Sequence, residues 1–307
     1  MTQENKSFSL KAFIVLSWRH KWPVLGLTSL FAITSVFIVL SLPDHYKAEV
    51  LLTPSEDQQG GGLSGLASQF GGLASLAGIN LGGKGTDNTL LALNKLTSRQ
   101  FIMAFIERHK LLVPLMAGKE WDRNTQLLII DQGSYDVANK KWIRQVRYPK
   151  QVKPSLLEAY VEFRELLTLK TDKKAGTVSL ELEFYSPILA QQWLSLLVAD
   201  LNHYMQEADR QKSQKSIDYL KAQIEVTQVA ELRSVFYQLV QEQTKKAMLA
   251  ASRDEFMFET IDAAVVPEQK SKPFRALICV IITLLGGGIS LFIVHIRQAF
   301  LVTVARL

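Results

Sequence analysis

Two long apolar segments, one near each end of the chain, constrain the fold more than any other feature. Residues 24–42 and 276–294 are each 19 residues long and contain no charged side chain. A helix of about 20 apolar residues crosses the hydrocarbon core of a bilayer. Both segments are therefore predicted to be membrane-spanning helices, the second extending to residue 296. This divides the remaining chain into residues 1–23, 43–275 and 297–307.

The distribution of charge predicts on which side of the membrane each part lies. The whole chain has a net charge of +6, of which residues 1–23 contribute +3 and residues 297–307 contribute +2. Basic flanks favour the cytoplasmic side, so residues 1–23 and 297–307 are predicted to be cytoplasmic tails. Residues 43–275 are nearly neutral, which argues against a strongly basic nucleic-acid-binding domain. They are predicted to form a periplasmic domain of a bacterial inner-membrane protein.

Two features complicate this topology. Lys270, Lys272 and Arg275 lie at the outer end of the second segment, where the positive-inside rule expects few bases, although large exported domains largely escape that rule. A cleaved signal peptide is an alternative for the first segment, but its 23-residue flank is long and no A-x-A-like site follows. Residues 8–21 form either a short interfacial helix or the end of an apolar tail.

The exported domain begins as a mixture of strands and helices. Residues 46–52 are typical of a strand ending at Thr53 and Pro54, and residues 88–109 predict one or two helices ended by Pro114. Residues 168–172 and 177–184 predict a hairpin. The only cysteine, Cys279, lies in the second apolar segment, so no disulfide is expected in this domain.

A long helical arm is predicted to follow. Ser186 and Pro187 are a strong helix start, and the next proline or glycine is Pro267. A step of five between Ile224 and Val229 interrupts the apolar spacing, which indicates a turn or over-winding near residues 225–228. Residues 186–266 are therefore assigned to the arm, which is expected to pack against itself or a neighbouring subunit.

Several motifs suggest chemistry but have simpler explanations. The glycine-rich tract at 60–85 is either a small-residue helix or a loop, and its resemblances to nucleotide-binding motifs lack the required context. Glu181 and Glu183 share one strand face and are expected to be solvated rather than catalytic. Six bases within residues 140–153 are either a solvated loop or a site for nucleic acid, sugar or lipid phosphate. No catalytic residue, metal site, nucleotide site or cofactor is predicted.

The second apolar segment and the residues before it are the best candidates for a structural role. Pro267 and Pro273 bar helix continuation, so this elbow, which ends at Arg275, is expected to set the tilt of the arm relative to the membrane. Gly286 and Ser290 form a small-residue face that would let another helix approach closely. Thr28 and Ala32 offer a similar face on the first segment.

The order of segments and several motifs resemble the chain length determinant proteins, the Wzz-type polysaccharide co-polymerases. The most specific part is residues 258–268, followed by Lys270-Ser271-Lys272-Pro273-Phe274-Arg275 and a span containing Gly286-Gly287-Gly288. Ala263 stands where the family often has proline. The other matching motifs are Thr53-Pro54, Leu96-Thr97-Ser98-Arg99, Gly176-x-Val178, Ser186-Pro187, Ala190-Gln191-Gln192-Trp193, Ser216-Ile217-x-Tyr219-Leu220 and Ala230-Glu231-Leu232-Arg233.

The resemblance implies an α+β membrane protein in which two transmembrane helices flank a periplasmic α/β base domain with a long helical arm. It also implies a homo-oligomeric ring that sets the modal length of a lipid-linked polysaccharide, such as lipopolysaccharide O-antigen, made by a separate polymerase. Some relatives that export capsule or exopolysaccharide carry a cytoplasmic kinase, which the eleven residues after the second span are not expected to supply. The competing hypotheses are a capsule or exopolysaccharide export co-polymerase without its kinase domain, a two-span periplasmic sensor or binding protein, and a membrane-anchored glycan enzyme.

Overall fold

The computed structural model describes residues 21–55, 84–251 and 253–304. Within these ranges the chain divides into two units, one formed by residues 21–44 with 270–304 and the other by the described residues between 45 and 269. All of the predicted interfacial helix at 8–21 except Lys21, and most of the glycine-rich tract at 60–85, lie outside the described residues.

The first unit contains two apolar helices of membrane-spanning length. Helix α1 is Lys21–Leu40, and the last helix of the chain, α8, is Arg275–Val304. Trp22–Leu40 and Arg275–Val294 are apolar enough to cross a membrane. The first helix ends two residues before the predicted boundary at 42, and the helical backbone of α8 continues to Val304, beyond the predicted end of the second span. The short strand β9, Lys270–Lys272, also lies in this unit.

The second unit is built on an antiparallel sheet with the strand order β6-β7-β1-β8. Strand β1 is His45–Pro54, and the predicted hairpin is confirmed as β6, Leu167–Asp172, and β7, Thr177–Phe184. Gly176 adopts a φ of +69° in the hairpin turn, a conformation that glycine tolerates best. Strand β8 is Phe258–Asp262.

Short helices and two smaller hairpins complete this α/β unit. The predicted helical region at 88–109 forms two helices, and the N-cap of the second is Ser98, whose hydroxyl accepts a hydrogen bond from the Phe101 amide. Pro114 does not end a helix as predicted, because it lies within the first turn of α4, a position that tolerates proline. The elements are α2 (Lys84–Leu96), α3 (Arg99–Arg108), α4 (Leu112–Ala117), β2 (Gly118–Asp122), β3 (Leu127–Ile130), β4 (Tyr135–Asp136), β5 (Lys141–Trp142) and α5 (Leu156–Leu166).

The core of this unit lies between the sheet and the helices. Phe105, Phe163 and Trp193 come from three helices, and they pack near Phe184 of β7 and the alternating apolar residues of β1. Burying aromatic side chains of this size is the largest favourable contribution that such a core makes. This packing fixes the strands that carry the polar face described below.

The arm is a pair of helices rather than one. Helix α6 is Pro187–Val226, capped by the Ser186 hydroxyl, and α7 is Ala230–Ala251. The break at residues 227–229 confirms the predicted interruption. At 1.5 Å per residue, α6 is about 60 Å long. The two helices contact each other, and Gln206 of α6 donates hydrogen bonds to the carbonyls of Ala250 and Arg253, each at 2.8 Å.

The predicted arm extends too far at its C-terminal end. Its helices end at Ala251, and residues 258–262 form β8, which pairs with β1. Asn202 explains this difference, because its buried side-chain amide donates to the Phe258 carbonyl and accepts from the amides of Met257 and Phe258, each at 2.9 Å. These bonds hold the start of β8 against α6, where the sequence pattern gave no strand signal.

Candidate functional site: the paired apolar helices and the elbow

Gly286 of α8 packs closely against α1. A Cβ atom placed on Gly286 would lie 2.5 Å from both Cβ and Cγ of Phe31. Real Cβ atoms essentially never show such a distance, so only glycine fits opposite Phe31 at this position. In contrast, a Cβ atom on Gly288 would meet no atom within 4 Å. The sequence pattern singled out Gly286 but gave no indication that Phe31 is its neighbour.

Ser290 lies one turn further along α8 and is fully buried. Its hydroxyl lies 3.3 Å from the hydroxyl of Thr28 and donates to the Gly287 carbonyl at 2.7 Å. Thr28 donates in turn to the Val24 carbonyl at 2.8 Å. Each hydroxyl therefore has a partner within the helix pair, as polar groups in an apolar environment require. Gly286 and Ser290 of the face predicted on α8, and Thr28 of the face predicted on α1, lie where the helices meet.

The elbow separates β8 from α8. The described backbone between Asp262 and Arg275 contains no helix, so neither Pro267 nor Pro273 lies within one. The amide of Arg275 donates to the Pro273 carbonyl at 2.9 Å, and helix α8 begins there. Both prolines therefore lie in a non-helical segment, as the sequence predicts. Their control over the tilt of the arm stays a prediction.

Arg275 is paired with Asp44, which lies just after the end of α1. Its Nη2 donates to Asp44 Oδ1 at 2.9 Å and to the Leu42 carbonyl at 3.4 Å. Lys270 Nζ lies 3.2 Å from the same Asp44 oxygen. Arg275 was predicted from the sequence but Asp44 was not, because a single carboxylate beyond an apolar segment carries no periodic signal.

Glu181 differs from its predicted solvated state, because it is buried on the polar face of the sheet. It pairs with Lys170 of β6, and its Oε1 lies 3.4 Å from Nζ of Lys47 in β1. Burial disfavours the charged carboxylate, but the two lysines outweigh this effect and lower the pKa of Glu181 below its ordinary value. The Glu181 side chain is therefore buried by residues of the two neighbouring strands, which lie beside it only in the folded sheet.

Part of the basic segment at 140–153 is held by hydrogen bonds and an ion pair within the protein. Arg144 donates to the carbonyls of Val152 and Gln151 at 2.9 Å and 2.7 Å, and it forms an ion pair with Glu158 at 2.8 Å. Arg144 thus closes its own loop onto α5. The exposed aromatic ring in this segment is Tyr148, because Trp142 packs against Tyr135.

Within the described ranges, no group of three or more histidine, cysteine, aspartate or glutamate side chains could hold a metal ion. The side chain of Cys279 is half-buried and forms no disulfide.

Comparison with known proteins confirms the resemblance inferred from the sequence. A family model described as chain length determinant protein (Wzz) matches residues 6–109. No curated protein matches the chain at a significant level.

Two solved structures are similar to the chain. One is a full-length bacterial polysaccharide co-polymerase, 13% identical, with a TM-score of 0.42 over 95% of this chain and 98% of that one. The other is a fragment of WzzB, a polysaccharide co-polymerase from Salmonella Typhimurium, 12% identical, with a TM-score of 0.29 over 75% of this chain and 100% of that one. Both TM-scores are below 0.5, so nothing about this chain follows from either structure.

Proposed function

We propose that this relative of the chain length determinant proteins regulates the modal length of a surface polysaccharide, namely lipopolysaccharide O-antigen. The observation that carries the proposal is the family match over residues 6–109, in a chain whose two apolar helices flank a mixed α/β unit. The protein acts by holding a polymerase and a growing lipid-linked chain rather than by catalysing a reaction. Its partners are the polymerase, the lipid-linked polysaccharide and the inner membrane.

The environment of Glu181, which the sequence offers as a candidate catalytic carboxylate, supports a role without catalysis. A general acid at neutral pH needs a raised pKa, whereas the two lysines lower the pKa of Glu181. Replacing Glu181 and Glu183 together with glutamine should leave the polysaccharide length distribution unchanged once the amount of folded protein is matched. A loss of polymer length control in that variant would favour the membrane-anchored glycan enzyme instead.

The surface of α7 supports self-association through the arms. Val229, which immediately precedes α7, is followed at helical spacing by Leu232, Val235 and Leu239 of α7, and each of the four is between 38% and 50% exposed. Such an apolar stripe on an exported arm favours contact with a second copy. We propose a homo-oligomeric ring. Light scattering in detergent and in nanodiscs should give a mass of several chains, and a monomer in both would contradict the proposal.

The proposed topology places both termini in the cytoplasm and residues 43–275 in the periplasm. A reporter that is active only in the periplasm should be silent when fused after Leu307 and active when inserted in the turn at Gly176 between β6 and β7. Activity at Leu307 would overturn the topology.

Deletion of the gene tests the function directly. A gel profile of surface polysaccharide should lose its modal length when the gene is deleted and regain it when the gene is supplied in trans. If only capsule or exopolysaccharide changes, the protein is an export co-polymerase. An unchanged profile for every surface polysaccharide would favour the two-span sensor.

A further inference from the structure

The basic segment at 140–153 carries cations that have no partner in the described part of the chain. Arg144 is the exception, because it is paired with Glu158. The nearest acid before the segment, Asp136, accepts its hydrogen bonds from Asn139. The other five bases are exposed and form no ion pair or side-chain hydrogen bond with another described residue, and they are Lys140, Lys141, Arg147, Lys150 and Lys153.

Residues 254–268 form an acidic segment of the same unit. It contains five acids and no base, and the acids are Asp254, Glu255, Glu259, Asp262 and Glu268. The Glu255 carboxylate accepts a hydrogen bond from the Thr260 amide. The other four carboxylates form no ion pair or side-chain hydrogen bond with any residue that the structure describes. The unit therefore carries two surfaces of opposite charge.

The two segments are attached to opposite edges of the sheet. Arg144 joins the basic segment to α5, which contacts β6 and leads directly into it. The acidic segment contains β8. In the strand order β6-β7-β1-β8, these two strands are the first and the last. A surface that is complementary to a different surface of an identical chain makes a head-to-tail contact, which is the kind of contact that closes into a ring.

Exposed apolar side chains accompany the charges in both segments. In the basic segment, Tyr148 is 97% exposed and Val152 is half exposed. In the acidic segment, Ile261 and Val265 are 54% and 71% exposed. Protein interfaces combine an apolar centre with a polar rim, and tyrosine is enriched in them. Each segment therefore has the composition of one side of a protein interface.

We propose that the basic segment binds the acidic segment of a second copy of this chain. This inference rests on the proposed homo-oligomer and adds a contact within the α/β unit, separate from the contact through α7. A second copy is favoured over an anionic glycan, because it supplies carboxylates that lack partners together with apolar side chains. Complementary charge across an interface fixes its register and disfavours the wrong pairing of surfaces.

Cross-linking between two differently tagged copies tests the contact. Both copies carry Cys279→Ser, which removes the one native thiol. One copy also carries Val152→Cys and the other Ile261→Cys, and both positions are exposed. A short bifunctional maleimide added to native membranes should join the two tags. Two copies that both carry Val152→Cys should not become joined, because a head-to-tail contact does not bring identical positions together.

Charge reversal identifies the interaction that holds the segments together. K150E/K153E in the Val152→Cys copy should lower the cross-linked fraction about tenfold, because like charges then face each other. D262K/E268K in the Ile261→Cys copy should restore cross-linking to within about twofold of the original value. Such a restored pair also shows that both variants fold. If a double variant does not accumulate, K153E and D262K are combined in the same way.

The matched control is K173E/K174E, which reverses two exposed lysines in the turn between β6 and β7. It should leave cross-linking unchanged, and an equal loss in this control would overturn the inference. Unchanged cross-linking in K150E/K153E would overturn it too, and a changed polysaccharide gel in that variant would then assign the basic segment to the glycan. If no cross-link forms but light scattering gives several chains, this contact is wrong while the proposed ring stands. A monomer would contradict both.

Discussion

The close contact between Gly286 and Phe31 makes a sharp prediction for Gly286→Ala. The added Cβ would lie 2.5 Å from Cβ and Cγ of Phe31, whereas carbon atoms in ordinary contact are about 3.5–4.0 Å apart. Because Phe31 Cβ is attached to the backbone, a rotamer change cannot move it away. The helices must therefore separate locally by about 1 Å. Overpacking of this kind costs about 1–3 kcal/mol, which corresponds to about a 5- to 150-fold weaker pairing.

Disulfide cross-linking measures this separation. Thr28→Cys and Ser290→Cys, in a Cys279→Ser background, replace hydroxyls that lie 3.3 Å apart. In native membranes, Gly286→Ala should slow cross-linking at least fivefold. Gly288→Ala is the matched control, since it changes helix propensity equally but meets no atom within 4 Å. Equal rates in the parent and Gly286→Ala, or equal slowing in Gly288→Ala, would refute the packing argument. The larger Gly286→Leu should also shorten or randomise the polysaccharide while expression and insertion stay unchanged.

Three further perturbations test the rest of the structure. Glu181→Gln should lower the free energy of unfolding by about 1–2 kcal/mol at pH 7, because it removes the partner of Lys170 and Lys47, both of which still reach water. The folded-state pKa of Glu181 lies below 4.5, so its contribution is complete above that value and is lost as the pH falls through the folded-state pKa. Urea titrations from pH 7 to pH 3 should show the difference disappear in acid, and the exposed Glu165→Gln should show none. Asn202→Ala should cost about 2–4 kcal/mol by leaving the amides of Met257 and Phe258 without their acceptor, and hydrogen exchange at β8 should rise more than at β6. Replacing Pro267 and Pro273 together with alanine should broaden the polysaccharide length distribution at wild-type expression, and an unchanged gel profile would show that the elbow does not control length.

Local patterns were sufficient for the elements whose signals lie within a few consecutive residues. The two apolar segments, the hairpin at 168–184 and the helix start at Ser186 each depend on neighbours in the chain. The break in the arm was also predictable, because a step of five in the apolar spacing cannot continue one helical stripe. The small-residue pattern at Gly286 and Ser290 likewise identified the face of α8 that meets α1.

Tertiary structure decided what depends on residues far apart in the chain. Glu181 alternates with apolar residues as a solvated strand residue would, and it is buried because β1 and β6 place Lys47 and Lys170 beside it. Residues 258–262 became a strand because Asn202 and β1 supply hydrogen-bond partners more than 50 and 200 residues away. The close contact between Phe31 and Gly286 likewise joins residues far apart in the chain, so the sequence pattern alone did not predict it. A sequence pattern records the spacing of side chains along one element, whereas burial and pairing are set by the second element that covers it.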